Sequence, residues 1–226
     1  MREIPMVTKN LLAINIIMFL AVVVADKYGI DLDALLGLHL FLADDFRPWQ
    51  LITYMFMHDG FTHIFFNMFA LYMFGGLLER VWGSKRFLTY YMVAGIGAGL
   101  IQELVQYVYF ENVLAGYQGV NMAGHIIKMG DYLNMWITVG ASGAVYGILL
   151  AFAMMFPNER LFVFPIPFPI KAKYFVMIFG ALELISGISP SAGDNVAHFA
   201  HLGGMLFGFL LILYWRKTGR INGPFF

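Results

Sequence analysis

Apolar residues along this chain gather into six runs, separated by polar turns or prolines. The first extends from Leu11 to Ala25 behind Arg2 and Lys9, and the second from about Phe61 to Leu78. The third runs from about Phe87 to Tyr109, and the fourth begins at Ser142 and is ended by Pro157. The fifth covers about Tyr174 to Ile188 and the sixth about Val196 to Trp215. Apolar segments approaching ~20 residues predict helices that cross a bilayer. Leu11 to Ala25 is expected to be a retained span rather than a signal-peptide core, because Val23-Val24-Ala25 is a poor small-residue cleavage site.

The segments between the runs have their own patterns. An acidic series, Asp26, Asp31, Asp33, Asp44 and Asp45, follows the first run. Between Gly37 and Gly60 the chain mixes aromatics with His39, Pro48-Trp49 and His58, which predicts an irregular interfacial loop with Trp49 at headgroup depth. From Phe110 to Thr138 the chain is only intermittently apolar and reads as a long outer loop that dips back to deliver Ser142. Pro165, Pro167 and Pro169 make their apolar patch a loop, and Ser189-Pro190-Ser191-Ala192-Gly193-Asp194 reads as a turn. No internal repeat or linker is visible, so residues 1–226 are expected to form one membrane domain.

Composition agrees: 60% of residues are hydrophobic, 12% are charged and the mean hydropathy is +0.73, far from the mix of soluble domains. The expected class is an all-α, polytopic membrane protein built as a bundle of six transmembrane helices. The absence of cysteine excludes disulfides, a thiol nucleophile and thiolate metal sites. With the amino terminus inside, the inner segments hold Arg2, Lys9, Arg80, Lys85, Arg86, Arg160, Lys171, Lys173, Arg216, Lys217 and Arg220, leaving only Lys27, Arg47 and Lys128 outside. This positive-inside bias predicts that both termini are cytoplasmic.

That orientation brings three polar clusters to one depth. Gly140-Ala141-Ser142-Gly143-Ala144-Val145-Tyr146-Gly147 sets one hydroxyl among small residues at a helix start, where unpaired N–H groups point. His63 and Asn67 lie one turn apart on the second span, and His201 precedes Gly204 and Gly208 on the sixth. The second, fourth and sixth spans all run inward, so His63, Ser142 and His201 each fall in the first turns, in the outer leaflet. Small residues around a serine also suit plain helix packing, as an asparagine suits an interhelical hydrogen bond. On the sixth span Ala197, Gly204 and Gly208 lie within about 60° of His201, all to one side, while His198 is turned about 60° to the other. His201 is therefore the residue expected to face a packed Ser142 helix.

With these clusters the chain resembles the rhomboid family of intramembrane serine proteases over essentially its whole length. The resemblance rests on His63-x-x-x-Asn67, Gly140-x-Ser142-Gly143 with Tyr146, and His201-x-x-Gly204-x-x-x-Gly208, in that order. It implies a Ser142–His201 dyad without a third acid, an oxyanion site made by His63, Asn67 and the Ser142 N–H, and Tyr146 stacked on His201. Transmembrane protein substrates would be cut in or near the outer leaflet, and a multi-pass protein of a bacterial inner membrane is expected. The expected partners are such substrates and the lipid bilayer, with no nucleic acid, cofactor or metal. His58 and His198 are read as solvated or supporting groups; four histidines at one end could bind a metal, but no carboxylate lies beside them at ligand spacing. Glu79 is expected to pair with Arg80, Lys85 or Arg86, while Glu103 and Glu183 lie inside spans without an assigned role. A non-catalytic rhomboid-like binder would lack Ser142 or His201, and a transporter would continue its polar groups to the inner face.

Overall fold

The computed structural model describes residues 3–162, 167–189 and 197–221. Pro165 and the turn Pro190–Asp194 lie outside the described residues, as does Val196. The six apolar runs are helices: α1 Met6–Asp26, α2 Phe61–Trp82, α3 Ser84–Leu114, α4 Ser142–Met155, α5 Ala172–Ile188 and α6 His198–Lys217. Four of them, α1, α2, α3 and α6, are long and apolar enough to cross a membrane. Their outer faces are inverted relative to a soluble protein: α1 exposes Ile16, Ile17 and Leu20, α2 Phe65, Phe66 and Phe69, and α5 Met177, Leu182 and Ile185. Such faces are stable only against lipid.

Several boundaries differ from the sequence expectation. α1 begins at Met6 rather than Leu11, because the carboxylate of Glu79 caps its amino end. Glu79 accepts from the Val7 and Thr8 N–H groups at 2.9 and 2.7 Å and from the Thr8 and Ser84 hydroxyls at 2.8 and 2.6 Å. It is therefore not committed to Arg80, Lys85 or Arg86; the unpaired N–H groups of a helix start attract a carboxylate more specifically than flexible surface cations do. It also lies within α2, which contains a π turn at Leu71–Gly75 and continues past Leu78 to Trp82. α3 likewise overruns Tyr109 and ends in a second π turn, Phe110–Leu114.

The two long loops contain more order than their composition indicates. Leu38–His39 pairs antiparallel with Ile137–Thr138, stitching the segment before α2 to the segment before α4. Within the outer loop, Gly119–Met122 and His125–Lys128 form a hairpin around Ala123 and Gly124, both at positive φ. That turn is normally marked by Asn-Gly or Asp-Gly, and alanine hides it. The proline patch also carries a short pairing, Arg160–Leu161 with Ile170–Lys171. Gln50, 1% exposed, organises the loop between α1 and α2 by accepting from the His39 and Arg47 N–H groups and donating to Leu35 and Asp45 carbonyls. Glu103, on α3, accepts from the Phe41 N–H at 2.7 Å and so ties the same loop to the bundle.

At the centre α6 packs against both α3 and α4. Tyr90 of α3 donates to the Gly147 carbonyl at 2.8 Å, and Tyr54 donates to the Gly95 carbonyl at 2.6 Å. Trp82, Tyr90 and Trp215 form an aromatic cluster toward the end remote from Ser142, with centroids 5.1 to 6.2 Å apart.

Glu79→Gln removes the charge that holds the start of α1, and a loss of about 2–3 kcal/mol is expected in reversible unfolding in mixed micelles. Asp33, in the loop after α1, is pushed up to about 6 by burial and then by Asp31, Asp26 and Asp59. A carboxyl that holds its proton more tightly when folded stabilises the fold below its ordinary value of 3.8 and loses that contribution as pH rises through about 6. Asp33→Asn is therefore expected to raise Tm at pH 8 and to leave it unchanged near pH 3.5.

Candidate active site

Ser142 is the first residue of α4, preceded by Gly140 at φ +131°, a conformation that a side chain disfavours. A methyl there would also sit 2.8 Å from His63 Nε2 and 3.4 Å from Ser142 Oγ, so Gly140 leaves open the space between these two groups. The Gly140 N–H bonds to the Tyr54 carbonyl at 2.9 Å, and Val145 N–H is the first helical donor, to Ala141. Backbone N–H groups at Ser142 and just after it are thus left without intrahelical acceptors. α4 has 14 residues, which rise about 21 Å. That is about 9 Å short of a ~30 Å hydrocarbon core, so with its other end at one membrane face the Ser142 end lies inside the bilayer.

His201 comes to Ser142 because α4 and α6 meet backbone to backbone. A methyl at Gly204 would fall 1.9 Å from the Gly143 carbonyl oxygen, and one at Gly147 would fall 3.1 Å from the Gly204 carbonyl oxygen. Gly208 lies against Tyr90 and the Gly147 Cα, and Gly143 against Ala98 of α3. At this separation His201 Nε2 is 2.8 Å from Ser142 Oγ. The Tyr146 ring stacks on the His201 ring with centroids 4.2 Å apart and planes 7° from parallel. Asn67 is buried on α2 and donates to the His63 carbonyl at 3.0 Å.

Sequence reasoning missed Glu183. Its Oε2 lies 2.9 Å from His201 Nδ1 and 2.6 Å from His198 Nδ1, and its Oε1 accepts from the Tyr146 hydroxyl. The expectation that no acid stands behind His201 is thereby corrected: the carboxylate comes from a different helix, where spacing along the chain does not reveal it. A signal was present, since Gly180, Glu183 and Gly187 share one face of α5 within about 60°. Methyls at the two glycines would reach Met205 at 3.3 Å and Phe199 at 2.9 Å, both on α6.

Each of the two flanking histidines packs against a residue of the candidate site. His58 is 1% exposed, 5.1 Å from the His63 ring, and burial followed by His63 pulls it down to about 4. His198 is engaged with Glu183 rather than with water alone. Glu183, His198 and His201 could in principle hold a metal, with donor atoms within 4.8 Å of one another. The contacts of 2.6 and 2.9 Å to Oε2 are, however, shorter than the about 3.3 Å between two ligands on a tetrahedral zinc, and match hydrogen bonds.

The Rhomboid domain model matches residues 45–218. The chain belongs to the rhomboid family. It is similar to the putative rhomboid protease YdcA of Bacillus subtilis, 30% identical over 79% of this chain and 72% of that protein. It is 26% identical to the rhomboid protease GlpG of Haemophilus influenzae over 90% of this chain and 88% of that one. The rhomboid protease AarA of Providencia stuartii is 30% identical over 72% of this chain, which spans 54% of AarA's length. All the residues singled out as the site of this rhomboid from Asn67 to Gly208 lie within the matched stretch, as does His63.

The glycine contact yields a prediction. Gly204→Ala forces α6 away from Gly143, and an overpacking loss of about 3 kcal/mol is expected, together with loss of labelling at Ser142 by a fluorophosphonate. Normal labelling in a variant of unchanged stability would show that the helices tolerate separation.

Proposed function

We propose that this rhomboid is an intramembrane serine endopeptidase that cleaves transmembrane proteins in or near the outer leaflet, using Ser142 as nucleophile and His201 as base. The observation that carries the reading is the 2.8 Å contact from Ser142 Oγ to His201 Nε2 at the start of a helix too short to span the bilayer. A serine hydroxyl is a weak nucleophile, and a neutral imidazole within hydrogen-bond reach is the group best suited to take its proton. His63, Asn67 and the Ser142 N–H are assigned to the oxyanion; the carboxamide and the N–H donate without bringing a charge to membrane depth. Tyr146 holds the His201 ring from one face, and Gly140, Gly143, Gly204 and Gly208 allow the close approach.

The family names of the similar proteins support protease activity, and the positive-inside bias supports an orientation with both termini in the cytoplasm of a bacterial cell. A substrate helix must unwind locally before its carbonyl can be attacked, because that oxygen is already bonded within the helix. Substrate segments with Gly, Ala, Ser or Pro near the outer face are therefore favoured, and replacing them by Leu is expected to protect the substrate.

Four substitutions test the assignment in purified protein reconstituted with a single-span substrate. Ser142→Ala is expected to abolish cleavage and fluorophosphonate labelling while the protein stays folded; turnover in that variant would remove Ser142 as nucleophile. Asn67→Ala is expected to lower the rate by roughly 10²–10³-fold, the loss of one oxyanion donor. His201→Ala is expected to eliminate both signals, whereas His198→Ala keeps most of each; the opposite pattern would exchange their roles.

A further inference from the structure

We infer that Glu183 is a positioning residue for His201: its carboxylate dictates which ring nitrogen carries the proton and offsets the positive charge that the ring gains during attack. The catalytic meaning of this rests on the protease reading above. The hydrogen bonding from which it is drawn does not.

Three groups converge on the Glu183 carboxylate: His201 Nδ1 and His198 Nδ1 on Oε2, and the Tyr146 hydroxyl on Oε1. An ionised carboxylate only accepts, so both ring nitrogens facing it must be N–H donors. A neutral imidazole has a single N–H. With that proton on Nδ1, His201 Nε2 is left as an acceptor, and the 2.8 Å contact to Ser142 runs from Oγ–H to Nε2. The other tautomer would point a donor at the serine and could not take its proton.

The remaining partners fix the carboxylate itself. His198 is one turn before His201 on α6 and Tyr146 is on α4, so Glu183 is held from both helices that carry the proposed dyad. The Tyr146 ring, stacked on His201, blocks tilting of the imidazole, and the Oε2 contact blocks its rotation within its own plane. The residue is 9% exposed, which keeps water from substituting for these contacts.

The proton inventory closes without another component. As Oγ bonds the substrate carbonyl carbon, its proton passes to Nε2, and the doubly protonated ring stays bonded through Nδ1–H to Glu183. When the peptide C–N bond breaks, the Nε2 proton leaves on the amine. Water then attacks the ester, giving its proton to Nε2, and that proton returns to Oγ as the ester C–O bond breaks. Glu183 is never protonated in the cycle; it lowers the energy of the charged ring in a setting with little water to do so.

The test compares the full-length protein with Glu183→Gln and Glu183→Asp in proteoliposomes. The tautomer of His201 is read from ¹⁵N shifts of labelled histidine, with His201→Ala for assignment, alongside kcat, KM and Tm. In the unaltered protein His201 is expected to be the Nδ1–H form. Glu183→Gln has one acceptor where the three donors need two, so it is expected to admit the Nε2–H form. Its kcat is expected to fall roughly 10²–10⁴-fold with KM within threefold, since removing the acid of a serine triad has an effect of this order. Glu183→Asp keeps the charge and is expected to recover part of kcat and the original tautomer.

An unchanged tautomer in Glu183→Gln, with kcat within threefold or falling only as far as Tm and folded fraction fall, would overturn the inference. If the unaltered protein neither cleaves nor labels but its His201 tautomer still follows the residue at 183, the protease reading fails and Glu183's hold on His201 stands.

Discussion

Everything in the site depends on how close two helix backbones can come. α4 and α6 approach until the Gly204 Cα side rests on the Gly143 carbonyl, a separation at which even a methyl would overlap. In lipid there is no hydrophobic force between helices to drive such contact, so association comes from dispersion and hydrogen bonds that require small residues at the seam. The same seam sets the distance from His201 to Ser142. Larger residues at the seam would push α6 outward and lengthen the 2.8 Å contact between Ser142 and His201.

The bundle also has to accommodate charge where water is scarce. Glu79, Glu103 and Glu183 are each under 10% exposed, and their hydrogen bonds run to backbone N–H groups, hydroxyls and imidazoles. Glu79 takes the unpaired N–H groups at the start of α1, Glu103 takes an N–H of the loop, and Glu183 takes two imidazoles and a phenol. At Glu79 and Glu183, fixed donors around the carboxylate avoid ordering a long cationic side chain and bringing its charge out of water as well. In each case the carboxylate also joins segments distant in sequence, so that the loop, α1 and α5 are referenced to the central helices.

The positions of the six helices were legible because lipid demands continuous apolar runs, and the approach of His201 to Ser142 was legible because small residues at helical spacing mark a seam between membrane helices. What stayed hidden depends on partners from elsewhere in the chain. Glu79 capping α1 and Glu183 meeting His201 are contacts between segments far apart in sequence, and neither obeys a local spacing rule. The hairpin at Gly119–Lys128 was missed for a different reason: its turn uses Ala123 at positive φ, where Asn or Gly would have announced it. For His58 the sequence left a solvated and a supporting place both open, and burial beside His63 takes it out of water.

The geometry around His201 shows why a bare pair of residues would be a poor description of the site. A hydrogen bond from Ser142 to Nε2 constrains one point of the ring, and the ring could still pivot about it. The stacked Tyr146 removes tilt, and the Nδ1 contact to Glu183 fixes a second point in the ring plane. Two fixed points and a plane leave a rigid body no rotational freedom. Since Tyr146 belongs to α4 and Glu183 to α5, the orientation of His201 is specified by three helices at once, and it persists only while all three keep their packing.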